Sequence, residues 1–308
     1  VPCDESDPYF MMFSVSASVS PKTMIHPTAI IHPTAVIEEG VSIGPYAIVG
    51  EACVVGEGSV LASHAVLQRW VRLGKEVRVD SHATVGGDPQ DLKYKGERSW
   101  VEVGDRTQLR ECVTIHRPTG EDLITKVGSD CLLMAYSHVA HNAEVEQGVI
   151  MANAVQLGGH SFVGQKAFLG GACVVQQGCR VGEYAIMGGF GGTRQDIPPF
   201  AKTAGGGMAV IQGINAVGLR RAGMSVQTRK LIQDAFNLLF FEHRNISQGV
   251  LELEATFPVD TTPELQRLLA FVKSSTKGFR AQSKRAMTHG DGKRQESSLE
   301  SSSEDDLD

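Results

Sequence analysis

An aliphatic residue returns at every sixth position of this chain from Ile25 to Val85 without a miss, and again from Val127 to Met187. A stride of six matches neither the period of a helix, about 3.6 residues, nor the alternation of a hairpin strand. It does match a parallel β-helix, in which each hexad supplies one short strand and one tight bend and three hexads close a triangular coil. The aliphatic residue points into the prism. Gly follows it in Ile43-Gly44, Val49-Gly50 and Val163-Gly164, and small residues such as Ala29, Ala35 and Ser59 fill the fifth position, so that the backbone can turn at each corner. One coil takes three hexads, eighteen residues, and residues that far apart lie one above another at about 4.8 Å, the spacing of neighbouring strands.

The 308 residues suffice for one long domain and a smaller one, and 42% hydrophobic content with only 6% aromatic residues suits a thin, mainly β prism filled by Val, Ile and Leu. A formal net charge of -6 argues against a nucleic-acid binder, and no apolar run is long enough for integral membrane association. The six cysteines, Cys3, Cys53, Cys112, Cys131, Cys173 and Cys179, contain no CxxC pair, and several fall at small or inward hexad positions. They read as reduced packing residues of a chain in the cytoplasm, or in an organellar matrix for an imported protein.

A solenoid expels insertions as loops, and two interrupt the repeat, near residues 87–100 and near residues 118–125. Loops on a regular scaffold are where binding groups usually sit. The β-helix is expected over residues 25–200, after a flexible leader, 1–24, whose Ser and Val content is like the tail of an organellar presequence while Asp4, Glu5 and Asp7 count against import. Residues 201–280 read as a small helical domain, with helical spacing in Leu231, Ala235, Leu238 and Leu239 and again in Leu265, Leu268, Leu269 and Val272. The two helices are expected at about Ser225–Phe241 and Thr262–Phe279, and the polar, acidic segment 281–308 reads as disordered.

Particular residues then carry a resemblance. The loop Gln90-Asp91-Leu92-Lys93-Tyr94, the segment Thr114-Ile115-His116-Arg117, the run Ser137-His138-Val139-Ala140-His141, the pair Gly159-His160, the turn Gln195-Asp196 before Pro198 and the stretch from Asn215 to Arg221 resemble the acyl-carrier-protein:UDP-N-acetylglucosamine O-acyltransferase family over about residues 25–280. The resemblance implies a left-handed parallel β-helix followed by a small C-terminal helical domain, assembled as a homotrimer with the site between neighbouring subunits. It implies transfer of an R-3-hydroxyacyl group from acyl carrier protein to the 3-hydroxyl of UDP-N-acetylglucosamine, the first step of lipid A biosynthesis, with no cofactor and no metal.

A sugar hydroxyl is a poor nucleophile near neutral pH and needs a base that titrates in that range, for which imidazole is the ordinary choice. The resemblance assigns that role to His141, and assigns the backbone N–H of Gly159 to the oxyanion of the tetrahedral intermediate. His141, Gly159 and Gln177 differ by eighteen each, so all three fall in one column on one edge of the prism. The resemblance adds Gln90, Asp91 and Lys93 of the first loop as contacts to sugar nucleotide or acyl group, His116 and His138 near the donor, His160 and Asn215 toward substrate, and Arg220 and Arg221 toward the nucleotide phosphates or the acidic carrier protein. Gly189 maps to a position that limits acyl length, and Gly there favours a long tail.

Two departures bear on the chemistry. Asn142 stands where the family has Asp after the catalytic His, and Gln176 stands where it has His. Each removes an ionisable group and leaves the base in place, so acyl transfer is expected with an altered rate or substrate preference. A catalytically weak or repurposed trimeric scaffold fits the same fold, and its discriminator is thioester turnover. A zinc hydratase built on the same repeat would need three converging histidines, whereas the carboxylate and HxxxxH spacing of that group are missing.

Overall fold

The computed structural model describes residues 22–242 and 245–281. The leader, 1–24, and the acidic tail, 281–308, therefore lie almost wholly outside the described residues.

Residues 24–208 wind into a parallel β-helix with three sheets of ten, ten and eight strands, here sheets I, II and III, which successive hexads visit in turn. Most strands are two residues long, an outward residue followed by the buried aliphatic one, as in His138–Val139 and Glu144–Val145. Val49, Val55, Leu61, Val139, Val145 and Leu157 are all buried and belong to one continuous core. Ile25, in the first described coil, is 46% exposed because among the described residues no coil lies above it.

Cross-strand register preserves the phase of six throughout. Val139 pairs with Leu157, eighteen residues on, and Ile43 pairs with Leu61 in the same way. At the first insertion Val79 pairs with Leu109, thirty residues on, and at the second Leu109 pairs with Leu133, twenty-four on. The insertions are thus twelve and six residues, whole hexads. The repeat does not lapse between them: Val103, Leu109 and Ile115 stay in phase and are buried, forming a complete coil that the two uninterrupted runs left out.

Most corners are two-residue turns whose second residue takes a left-handed backbone, at Tyr46, His64, Asn142, Ala154 and His160 among others, with φ between 54° and 63° at Cys112, Tyr136, Lys166 and Tyr184. That conformation costs about 1–2 kcal/mol for a residue with a Cβ. At most corners it is offset by a hydrogen bond from the same residue's N–H to the corner carbonyl of the coil before, as in His160 to His141 at 3.0 Å and Gly178 to Gly159 at 2.9 Å, and at Tyr46 and Asn142 by one to a threonine hydroxyl. Glycine after the inward residue has a steric cause: a Cβ at Gly50 would overlap the Gln68 carbonyl of the next coil. Cys53, Cys131, Cys173 and Cys179 occupy the small fifth position, and burial pushes their thiols up.

The sheets run past residue 200, where the helical domain was expected to begin. Ala201–Thr203 extends sheet I, Gly207–Met208 extends sheet II, and Ile211–Ile214 returns antiparallel against Ala201–Thr203. Helices follow at α1 (Ala216–Arg221), α2 (Val226–Phe236), α3 (Ile246–Thr256) and α4 (Pro263–Lys273), and a π turn at Asn237–Glu242 prolongs α2. The sequence pattern gave α2 and α4. It missed α3, whose buried residues are only Gly249 and Leu253, too few to write an apolar stripe. The stretch after Lys273 is not helical: Gly278, at φ 65°, turns the chain back onto the solenoid, where its carbonyl accepts the Asp196 N–H at 2.9 Å. Buried Asp196 also takes the Arg180 guanidinium at 3.0 Å and the Ser275 hydroxyl at 2.8 Å, which fastens the helices to the last coils. Among the described residues no helix is long and apolar enough to cross a membrane.

Candidate active site at a corner of the coil

The corner between sheets II and III carries His141, Gly159 and Gln177 at the first turn position of successive coils. His141 is only 7% exposed. Its Nδ1 lies 2.9 Å from Asn142 Oδ1 and its ring meets that of His160 edge-on, with centroids 5.2 Å apart. The Nε2 edge faces Gly159, where a Cβ would collide with the imidazole, so only glycine fits there.

The N–H at this turn position points away from the ladder. In three other turns a carboxylate caps it: Glu38 at Glu57 N, Asp105 at Lys75 N and Glu146 at Gln165 N, at 2.8–2.9 Å. At Gly159 it has no acceptor among the described residues. The Nε2 edge of His141 and the uncapped N–H of Gly159 thus belong to neighbouring residues of adjoining coils at one corner.

His138 and His116 extend the site onto the outer face of sheet II. Their rings meet edge-on at 4.9 Å, and His138 Nδ1 bonds to Thr114 Oγ1 at 2.7 Å. Burial pulls the His138 imidazole down to about 4 and lowers His116 and His160 as well, with the nearby His141 pushing in the same direction. These three rings are neutral dipoles at physiological pH, able to hydrogen-bond and not to neutralise an anion. Among the described residues no set of three His, Cys, Asp or Glu side chains could hold a metal ion.

The first loop leans over this corner. Asp91 Oδ1 accepts the Lys93 N–H at 3.0 Å, which holds the carboxyl below its usual range, and Asp91 is near enough to His141 and His160 for their charges to be felt. Gln90 and Lys93 are exposed beside it. The post of the loop is Arg117, a fully buried residue the sequence reading passed over. Its Nε donates to the Gly86 carbonyl at 3.0 Å, its NH2 grips Asp88, and its guanidinium lies 4.7 Å from the Trp70 ring and 5.6 Å from the Tyr94 ring. The one available signal was an arginine that ends an inward-facing strand beside an insertion. The second loop is held by Asn142, whose side chain makes two hydrogen bonds to the backbone of Thr119.

The other expected residues are spread over three corners. Gln176 and Gln177 are exposed at the same corner, below His141. Gly189 belongs to the corner between sheets I and II, across the face of sheet II, where an added side chain would make only ordinary contact, 3.4 Å from the Gly171 carbonyl. Asn215 caps α1, accepting from Gly218 N at 3.0 Å and donating to the Tyr184 carbonyl at 2.9 Å, which fixes it at the corner between sheets III and I. Arg220 and Arg221 end that helix, exposed. Within one chain they do not share an edge with His141.

Residues 196–280 match the family model for UDP-N-acetylglucosamine O-acyltransferase domain 2, and residues 34–69 match the bacterial transferase hexapeptide repeat. The acyl-[acyl-carrier-protein]–UDP-N-acetylglucosamine O-acyltransferase of Gloeothece citriformis is 39% identical over 204 residues, 66% of this chain and 72% of that one. The structure of LpxA from Acinetobacter baumannii superposes with a TM-score of 0.80 at 36% identity, covering 83% of this chain and 99% of that one. The chain belongs to the UDP-N-acetylglucosamine O-acyltransferase family. Its architecture is that family's left-handed parallel β-helix with a few C-terminal helices, and it is an enzyme of that family. The UDP-N-acetylglucosamine acyltransferase of Arabidopsis shares the fold at 27% identity, with a TM-score of 0.74 over 84% of this chain.

Keeping His138 neutral has a measurable consequence. Its folded pKa lies below the ordinary value, so the unfolded chain binds a proton more readily. Stability from this group is complete above about pH 6.5 and is lost as pH falls from there toward 4. The melting temperature is expected to drop across that window in the parent and to drop less in His138→Gln. An equal acid slope in both proteins contradicts the assignment.

Proposed function

We propose that this chain transfers an R-3-hydroxyacyl group from the thioester of acyl carrier protein to the 3-hydroxyl of UDP-N-acetylglucosamine, the first step of lipid A biosynthesis. The observation that carries the proposal is that the His141 Nε2 edge lies against Gly159, whose N–H is uncapped among the described residues, at one corner of the coil. Nε2 takes the hydroxyl proton as the sugar oxygen attacks the thioester carbonyl carbon. The Gly159 N–H donates to the oxyanion that results, a contribution of about 3–4 kcal/mol for one fixed donor. The carbon–sulfur bond then breaks, and the imidazolium returns its proton to the departing thiolate.

The remaining residues bind. Asp91 and Lys93, with Gln90, contact the sugar nucleotide from the first loop, while neutral His116, His138 and His160 line the donor side with Gln176 and Gln177. Asn215, Arg220 and Arg221 sit on a different edge from His141, which supports a homotrimer in which one protomer's corner faces the helical domain of the next. The acyl tail crosses the outer face of sheet II toward Gly189, and the absent side chain leaves room for a long one.

His141→Ala is expected to lose acyl transfer by roughly two to four orders of magnitude in an assay with UDP-N-acetylglucosamine and a 3-hydroxyacyl carrier protein. Turnover within tenfold of the parent would remove His141 as the base. Gly189→Met, which fills the far end of the path without a backbone clash, is expected to move the preferred donor to a shorter chain. An unchanged ranking across a panel of donor lengths shows that Gly189 is not the ruler.

A further inference from the structure

We infer that Asn142 is a positioning residue that sets which nitrogen of His141 carries the proton, and that it does so as part of a clasp on the 118–125 loop that only an amide can close. The inference rests on the reading of His141 as base and adds to it a specific role for the residue beside it.

The hydrogen bonds permit one assignment. Asn142 Oδ1 accepts the Thr119 N–H at 3.1 Å, and Asn142 Nδ2 donates to the Thr119 carbonyl at 3.1 Å. Turning the amide over would set donor against donor and acceptor against acceptor, so its orientation is fixed. Oδ1 also lies 2.9 Å from His141 Nδ1, and an amide oxygen can only accept. The proton of the neutral ring is therefore on Nδ1, and the lone pair on Nε2 faces Gly159. The orienting task that a carboxylate performs through charge and geometry is done here through geometry alone.

A carboxylate could keep the bond to Nδ1 and the bond from Thr119 N. It could not donate to the Thr119 carbonyl, and an anionic oxygen would stand about 3 Å from that carbonyl oxygen, a repulsion the loop relieves by opening. The far end of the loop is tied to the same residue, since the Asn142 N–H donates to the buried Thr125 hydroxyl at 2.9 Å. Asn142 thus holds both ends of a segment whose middle, residues 121–124, is exposed. The corner itself tolerates change: Ala52, Ala154 and Ala172 occupy equivalent turn positions with φ of 52–60°. Asn142→Ala and Asn142→Asp are therefore expected to fold.

The groups that exchange electrostatic influence with His141 are Asp91 on the first loop, His116 and His138 on the face of sheet II, and His160 on the next coil, all unaltered in these variants. The experiment uses the full chain labelled with 15N-histidine, with the His141 signals assigned by their loss in His141→Gln. It reads the imidazole nitrogen shifts, the pH profile of turnover, and cleavage after Glu121 by a glutamate-specific protease. The parent is expected to hold the Nδ1–H form and to resist cleavage. Asn142→Ala should shift toward the Nε2–H form, lose at least about tenfold in kcat and be cut faster. Asn142→Asp should keep the Nδ1–H form and raise the acid limb of the profile by about one unit, yet be cut at least about tenfold faster than the parent. Nitrogen shifts in Asn142→Ala like those of the parent, or protease resistance in Asn142→Asp equal to the parent's, overturn the inference. Retained turnover in His141→Ala would instead remove the base, and the shifts and cleavage rates would still decide whether Asn142 fixes the tautomer and the loop.

Discussion

The hydrogen bond that the second residue of most corners donates to the corner carbonyl one coil earlier is the interaction on which the rest of this molecule depends. It holds the left-handed turn residues in a conformation they would otherwise avoid, and it stacks corners vertically with little freedom to slip. In the column of the proposed site the bonds from His160 to His141 and from Gly178 to Gly159 are two rungs of that ladder. The proposed base and backbone donor are thus set one coil apart by the scaffold itself, on the rigid element where such constellations are held most closely. The loops have only to cover the site and contribute binding groups.

The same constraint explains the form of the insertions. A loop of arbitrary length could leave a corner, but here the chain returns after twelve and six residues with the inward phase unbroken, and Val103, Leu109 and Ile115 fill the prism as their neighbours do. Each loop is fastened by a polar residue in the adjoining coil. Arg117 serves the first, clamped between Trp70, Tyr94 and Asp88, and Asn142 serves the second through Thr119 and Thr125. The side chains of both loops are thereby referred to the rigid corner that carries His141.

The solenoid was legible because its local rule is repeated: inward aliphatics every six residues, small residues and glycine at the bends. The column of His141, Gly159 and Gln177 followed from the spacing alone. The two fasteners were not legible, because what makes Arg117 and Asn142 informative is their partners across twenty or more residues of sequence, and no periodicity encodes those. Asn142 read as the loss of a charge, whereas its geometry shows a three-way clasp. Helix α3 escaped because its contact with the core is too thin to leave a stripe, and the strands after residue 200 escaped because glycine-rich sequence hides their pairing. Gly189 and Arg220 were grouped with the site by resemblance, and the fold assigns them to two other corners.

That separation makes the proposed homotrimer essential to the account, because His141 and the arginines of α1 can share a substrate only if they come from neighbouring copies. Mixing subunits tests this directly. His141→Ala and the double variant Arg220→Glu, Arg221→Glu, each defective alone, are co-expressed in equal amounts and the mixed trimers are assayed for acyl transfer. If the site is shared, about one corner in four pairs an intact His141 with an intact neighbour, and activity should recover to roughly a quarter of the parent's. Activity no higher than the mean of the two variants would mean that each chain builds its site alone, and would contradict the account.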